Sequence, residues 1–320
     1  MRVDSATFGS PRRARLTVAT DTPAAVATSS IVARRVGESG ARVVSVMSVM
    51  SVIAAWECKR LHPRVTPRRS TSGGERYRRL MSSDAVNAAR AQRVVRLIDL
   101  TDLDDAHRPD GIDALVADAV QHRTAAVCVW PEFVAPVRAR LDATGAPAGL
   151  RVATVVNFPT GTGSVDDVDV EVAGALGVGA DEIDLVLPWE RFVDGDVAHA
   201  RSMVDAVAGL VRDAPGAGLK VILETGDLPS PSAIEAASRL AIECGADFLK
   251  TSTGKTGTGA SIDAVSTMLD VIAADGRRVG VKPSGGIRTV ADAIEYLDLA
   301  DRRLGPEWAT PLTFRFGASG

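Results

Sequence analysis

From residue 95 onward the chain alternates short apolar runs with longer stretches whose apolar positions recur at helical spacing. The runs VRLIDLT (95–101), AAVCVW (125–130), RVATVVNF (151–158), EIDLVLP (182–188), LKVILET (219–225), DFLKTST (247–253), VGVKPSG (279–285) and LTFRFGAS (312–319) have the length of strands. Between them the pattern predicts helices near 110–122, 131–144, 165–178, 196–213, 231–244, 261–275 and 289–303. Pro131 opens the second of these and Ser230-Pro231 starts the fifth. Eight strands separated by seven helices indicate an α/β fold with parallel strands, and eight units in roughly 240 residues predict a (βα)8 TIM barrel. The alternative is an open doubly wound sheet, which carries a glycine-rich nucleotide loop after its first strand. Here the first strand runs into DLDDAHRPDG, with no GxGxxG. The GKT at 254–256 also fails as a phosphate-binding P-loop, because the pattern needs glycine at 249 and finds Leu249.

Side chains alternate along a strand, so each barrel strand sends one set outward beneath the helices and the other into the interior. Outward positions should be apolar, which fixes the phase. Ile183, Leu185 and Leu187 face out, leaving Glu182, Asp184 and Val186 inward; Leu219, Val221 and Leu223 face out, leaving Lys220, Ile222 and Glu224 inward. By the same rule Leu249 turns Lys250 in, and Val279 with Val281 turns Lys282 in. Asp99, Thr101, Cys128 and Asn157 also fall inward. Three lysines and several carboxyls from different strands are thus expected in one interior, toward the C-terminal strand ends where barrel active sites lie. A structural ion network is the competing interpretation, since Lys250 could be held as an ion pair. A barrel built for stability alone would fill these layers with branched apolar residues.

Lys250 and Lys282 come from neighbouring strands, and each disfavours the other's protonation, so one can be a neutral amine at working pH. A neutral amine attacks carbonyls. The remaining lysine and Asp184 could then move protons, with water, through carbinolamine, imine and enamine, without metal or bound cofactor. The loops after the last strands hold Gly254-Lys255, Pro283-Ser284-Gly285-Gly286 and Gly317-Ala318-Ser319. Small residues there let backbone N–H groups approach an oxyanion, and Lys255 adds a cation, so a sugar phosphate is the expected ligand.

Composition narrows the function further. The formal charge is −3, yet residues 1–80 carry 15 Lys/Arg against 5 Asp/Glu, and residues 81–320 carry 22 against 35. An acidic body argues against nucleic-acid binding. Cys58, Cys128 and Cys244 are far apart and suit a reducing compartment, and His62, His107, His122 and His199 show no metal-ligand spacing. Residues 1–80 lack sustained periodicity apart from VVSVMSVMSVIAAW (43–56), which is too short to span a bilayer. An organelle-targeting extension or a membrane-surface anchor would share this basic character. The composition favours a disordered or mis-started extension, with Met81 as the natural start and residues 81–320 as the folded domain.

The motifs LIDLTDL (97–103), AAVCVWP (125–131), ATVVNFPTG (153–161), GADEIDLVLP (179–188), LKVILETGDL (219–228), GADFLKTSTGK (245–255), VKPSGGIRT (281–289) and FRFGAS (314–319) closely resemble those of the deoxyribose-phosphate aldolase family, in family order. These class I, cofactor-free lyases interconvert 2-deoxy-D-ribose 5-phosphate with D-glyceraldehyde 3-phosphate and acetaldehyde. The resemblance implies the same barrel, with Lys250 as the Schiff-base lysine and Asp184 and Lys282 as the proton-transfer pair. It implies Asp99, Thr101, Cys128, Lys220 and Thr253 as pocket residues, and Gly254, Lys255, Gly285, Gly286 and Ser319 as phosphate-loop residues. It also implies a cytoplasmic enzyme of deoxyribonucleotide catabolism whose partners are a sugar phosphate and acetaldehyde, with no nucleic acid or membrane, and leaves a homodimer open. Two departures stand out: the extension, and an end at Gly320 where the family continues into a helix over the last strand. A helix near 84–94, or a partner chain, is then expected to cover that flank. Other imine-forming barrel aldolases, and an inactive sugar-phosphate-binding protein, are the competing functions.

Overall fold

A computed structural model of the chain describes residues 86–104, 109–147 and 149–319. The basic segment 1–80 and the start expected at Met81 lie outside these residues. Helical residues 86–95 form α1, followed by β1 (Ile98–Asp102), α2 (Pro109–His122), β2 (Ala126–Val129), a 3-10 turn at Pro131–Phe133 and α3 (Val134–Thr144). Then come β3 (Arg151–Val156), α4 (Val165–Gly177), β4 (Glu182–Val186), α5 (Trp189–Val193), α6 (Val197–Asp213) and β5 (Gly218–Ile222). The series ends with α7 (Pro231–Cys244), β6 (Phe248–Lys250), α8 (Ile262–Asp275), β7 (Gly280–Lys282), α9 (Val290–Leu304) and β8 (Phe316–Ser319).

The strands are parallel and ordered β7-β6-β5-β4-β3-β2-β1-β8. The two ends of this sheet meet through bridges from Val281 to Phe314 and from Ser284 to Gly317. Arg315 N–H donates to the Val281 carbonyl at 3.0 Å, and Gly317 N–H to the Pro283 carbonyl at 2.9 Å. The sheet therefore closes on itself as the TIM barrel that the alternation predicts. Among the described residues, no helix is long and apolar enough to cross a membrane.

All the residues assigned outward on β4 to β7 enter one buried cluster with the inner faces of the helices, among them Ile183, Leu185, Leu219, Val221, Leu249 and Val281. The helices start on hydroxyl caps where the pattern places them: Ser164, Ser230, Ser261 and Thr289 each accept from the backbone N–H three residues on. Each of these helices follows a strand's C-terminal end, so the caps also anchor the loops at the barrel mouth; such a cap is worth about 1 kcal/mol.

Three features depart from the pattern. β8 begins at 316 rather than 312, because residues 310–313 form a turn in which the Thr310 and Thr313 hydroxyls lie 3.0 Å apart. α5 has only five residues, too few for a helical period to show in the sequence. And α1 brings Val94 and Val95 into the core, while Arg93 binds Asp301 of α9 at 2.7 and 2.9 Å. A helix thus stands where one was expected near 84–94, and its side-chain bonds reach α9 and the Pro306 carbonyl beyond it. Inside the barrel, a Cβ on Gly280 would fall 2.3 Å from the Phe248 ring, so glycine there makes room for an aromatic floor.

Candidate active site

Lys250 is the last residue of β6 and Lys282 the last of β7, paired side by side in register. Asp184 lies on β4 opposite Lys220 of β5. One carboxylate joins all three lysines: Asp184 Oδ1 accepts from Lys220 Nζ at 2.8 Å, and Oδ2 from Lys250 Nζ at 2.9 Å and Lys282 Nζ at 2.8 Å. Beneath them Lys282 Nζ meets Asp99 Oδ2 at 2.6 Å, and Lys220 Nζ meets Glu182 Oε2 at 2.6 Å and Asp99 Oδ2 at 3.7 Å. None of these side chains is more than 7% exposed, so each charge depends on its neighbours rather than on water.

The protonation states follow from these contacts. Burial alone would raise Asp99 and Asp184, but the surrounding cations outweigh it and hold both below the usual carboxylate range. Burial likewise pulls the lysines down. At Lys220 and Lys282 the carboxylates more than compensate, and both amines rise above the ordinary lysine value. At Lys250, Asp184 does not offset burial, Lys282 adds repulsion, and the amine is lowered. Cys128 joins Ala126, Ala153 and Val155 in a small apolar patch on the interior, and burial pushes its thiol up. Among the described residues, no three His, Cys, Asp or Glu side chains are placed to hold a metal ion; Asp99, Glu182 and Asp184 are taken up by lysine and arginine nitrogens.

The remaining expected residues sit around the mouth. Thr101 is half-buried, and its hydroxyl donates to the Asp99 carbonyl at 2.8 Å. Thr253 accepts the Lys255 N–H on its hydroxyl at 3.1 Å. Gly254, Gly285 and Gly286 all have φ of +79°, a region that favours glycine. A Cβ on Gly285 would meet the Cα of Gly259 at 3.0 Å and that of Gly254 at 3.6 Å, so the loops after β6 and β7 pack backbone against backbone. Lys255 Nζ lies 5.7 Å from the centroid of Trp130, which follows β2. Ser319 ends β8, in register with Thr101.

Two residues assigned to the interior belong elsewhere, because alternation fails once a strand has ended. β5 stops at Ile222, and Glu224 takes φ 53°; its carboxylate accepts from Thr253 N–H at 3.1 Å and the Thr256 hydroxyl at 3.2 Å, tying down the loop after β6. β3 stops at Val156, and Asn157 takes φ 55°, donating to the Val186 carbonyl and accepting from Gly163 N–H. One residue was missed: Arg315, 2% exposed, which reaches Asp99 Oδ1 at 2.6 Å and Glu182 Oε1 at 2.9 Å. The phase rule would have found it, since Phe314 and Phe316 face the core. So would a count of residue types: of 37 basic residues only five are lysines (Lys59, Lys220, Lys250, Lys255, Lys282), and four of the five surround this mouth. Arginine does not give up its proton in proteins and lysine does, so the lysines mark where an amine must titrate.

A parallel barrel whose strand ends gather buried lysines around a shared aspartate is the architecture of a barrel lyase. The chain belongs to the DeoC/LacD family of aldolases, whose model matches residues 94–305. It is 51% identical to a deoxyribose-phosphate aldolase of Agrobacterium fabrum over 199 residues, 62% of this chain and 74% of that protein. Among solved structures, the apo form of a putative deoxyribose-phosphate aldolase from Toxoplasma gondii superposes with a TM-score of 0.66 at 29% identity, covering 74% of this chain and 93% of that one. A putative deoxyribose-phosphate aldolase from Coccidioides immitis gives 0.63 at 28% identity, covering 85% and 92%.

Proposed function

We propose that the chain cleaves 2-deoxy-D-ribose 5-phosphate reversibly to D-glyceraldehyde 3-phosphate and acetaldehyde, through a Schiff base on Lys250. The observation that carries this reading is the unequal holding of the three buried lysines: Lys220 meets three acids and Lys282 two, whereas Lys250 meets one oxygen, Asp184 Oδ2 at 2.9 Å, which it shares with Lys282, so of the three it gives up its proton most readily to act as the nucleophile. Its lone pair attacks the C1 aldehyde of the open-chain sugar, and the carbinolamine loses water to give an iminium. A base then removes the C3 hydroxyl proton. The C2–C3 bond breaks, its electrons pass into the iminium as an enamine, and C3 leaves as the new aldehyde of glyceraldehyde 3-phosphate. Protonation at C2 and hydrolysis release acetaldehyde and restore the amine. Asp184 and Lys282, 2.8 Å apart and both against Lys250, serve as acceptor and donor for these protons through water.

Asp99, Thr101, Cys128, Lys220 and Thr253 shape the pocket. Backbone N–H groups at Gly254, Gly285 and Gly286, with Ser319 and Lys255, take the phosphate. The aldolase unit is residues 81–320, and residues 1–80 are not needed for turnover. Cys128 and Cys244 are both free and buried, which suits the cytoplasm.

The test is to incubate the chain with deoxyribose 5-phosphate and assay both aldehydes, then add borohydride with acetaldehyde and map the reduced adduct. Cleavage with an adduct on Lys250 is expected; a folded protein with neither would overturn the reading. Lys255→Met should raise KM for the phosphorylated sugar about 10- to 100-fold, as loss of a charge-assisted contact does. It should leave kcat within a few-fold and 2-deoxyribose itself unaffected. An equal loss on both sugars would remove Lys255 from the phosphate site.

A further inference from the structure

Enclosed at the centre of the barrel are four basic groups, Lys220, Lys250, Lys282 and Arg315, and three acids, Asp99, Asp184 and Glu182, all buried. If every group carried its charge, one positive charge would be left over where water cannot screen it. One proton must therefore be easy to lose. Arg315 cannot supply it. The contacts among the described residues rank the lysines. Lys220 lies within 4.0 Å of three acids: Glu182 at 2.6 Å, Asp184 at 2.8 Å and Asp99 at 3.7 Å. Lys282 meets two, Asp99 at 2.6 Å and Asp184 at 2.8 Å. Lys250 meets a single oxygen, Asp184 Oδ2 at 2.9 Å, which it shares with Lys282.

We propose that Arg315 is a positioning residue of the aldolase: its fixed charge at the barrel floor, between Asp99 and Glu182, puts the enclosed cluster one cation in excess and so releases the proton of Lys250. The guanidinium is well placed for this. It bonds Asp99 Oδ1 at 2.6 Å, Glu182 Oε1 at 2.9 Å and the Pro311 carbonyl, and its Cζ lies 5.6 Å from the Phe248 ring centroid. By occupying one side of both acids it leaves less negative charge to hold the lysines above. Other groups facing Lys250 do not alter the count. From β2 comes the Cys128 thiol, which burial pushes up and keeps neutral; from β3 come Ala153 and Val155, without charge. Glu224, two residues past β5, lies outside the cluster: its carboxylate turns to Thr253 N–H and the Thr256 hydroxyl in the loop after β6, and among the described residues it pairs with none of the three lysines. Arg151 approaches Glu182 only at 3.4 Å, through Nε; its Nη2 donates to the Asp181 and Gly216 carbonyls and the side chain is 30% exposed, so its charge sits at the edge of the cluster, partly screened by water.

The inference rests on the aldolase reading for its purpose but not for its measurement. With five lysines in the chain, [13Cε]lysine labelling gives five resonances, and Lys250 is assigned by its loss in Lys250→Met. The pH midpoint of that resonance reads the amine directly, with no aldehyde present. Arg315→Met equalises cations and acids, and the midpoint should rise by about one unit, the size of shift a nearby charge produces. Glu182→Gln does the opposite and should lower it by a similar amount. The double variant restores the excess of one and should return near the wild-type midpoint, as should Arg315→Lys. If Arg315→Met does not fold, Glu182→Gln alone and the double variant still decide the matter. A purely structural Arg315 would give no opposed, compensating shifts, and unmoved or same-direction midpoints overturn the proposal. Borohydride trapping on the same proteins separates the two ideas: opposed shifts without an adduct on Lys250 would uphold the charge device and sink the aldolase reading. An adduct with unmoved midpoints would do the reverse.

Discussion

Lys250→Met is expected to abolish acetaldehyde trapping and to lower kcat/KM for sugar-phosphate cleavage by at least about 10^4-fold, as loss of a covalent nucleophile does. The folded barrel should remain, at equal or higher Tm. Activity fails because no other lysine among the described residues is placed to substitute. Lys282 and Lys220 are both raised by their carboxylates, and Lys255 lies against Trp130 beyond the turn. Stability holds because the substitution leaves three cations, Lys220, Lys282 and Arg315, facing the three acids, and replacing buried charge by an apolar side chain of similar volume is often neutral or stabilising by about 1–4 kcal/mol. The gain should depend on pH in a set direction. Burial and Lys282 lower Lys250 in the folded state. Between that folded value and the unfolded value of about 10.4, the unfolded chain holds one more proton than the folded one, so wild-type stability rises with pH in that window. The methionine variant lacks this rise, and its advantage should narrow by up to about 1.4 kcal/mol per pH unit there. Urea unfolding of both proteins from pH 7 to 10 checks it. An adduct on the methionine variant, or a cooperative fold lost outright, would remove Lys250 from its assigned role.

The sequence carried the barrel and most of this site because both depend on periodicity. Eight apolar runs with helical spacers specify the strand order, and the outward residues of β4 and β5 fix which way Asp184 and Lys220 point. The method fails where the period stops. Glu224 and Asn157 lie one or two residues past their strands, with left-handed backbone that redirects their side chains into loop ties. Arg315 was legible by the same rule, because Phe314 and Phe316 face the core and turn it inward even though the strand itself begins only at Phe316. What alternation alone could not supply, and only the motif resemblance implied, is the difference between Lys250 and Lys282. Both end strands, both point inward, and they pair in register. They differ in how many carboxylate oxygens they meet, and that is settled by Asp99 on β1, far away in sequence.

Asp184→Asn should cost stability and turnover together, while sparing imine formation. Its carboxylate is the one group touching all three lysines, at 2.8, 2.9 and 2.8 Å. Losing that charge leaves four cations against Asp99 and Glu182, and breaking a buried pair in this way costs about 3–5 kcal/mol. The sign of its pH dependence follows from the lowered folded-state value, where burial, which would raise Asp184, is outweighed by Lys220, Lys250 and Lys282. A carboxyl depressed in the folded state contributes stability above its unfolded value of about 3.9, and that contribution is lost as pH falls toward the folded one. The gap in unfolding free energy between wild type and variant should thus be full at pH 6–7 and shrink on acidification, which urea titrations down to pH 3 would show. Turnover should fall about 10^2- to 10^4-fold, the usual weight of a positioned acid or base. Lys250 loses its only carboxylate contact among the described residues, so its amine holds a proton less tightly and borohydride should still trap acetaldehyde on it. An adduct that forms while cleavage stalls separates proton transfer from nucleophilic attack; loss of the adduct in a folded Asp184→Asn protein would mean that Asp184 serves the attack itself.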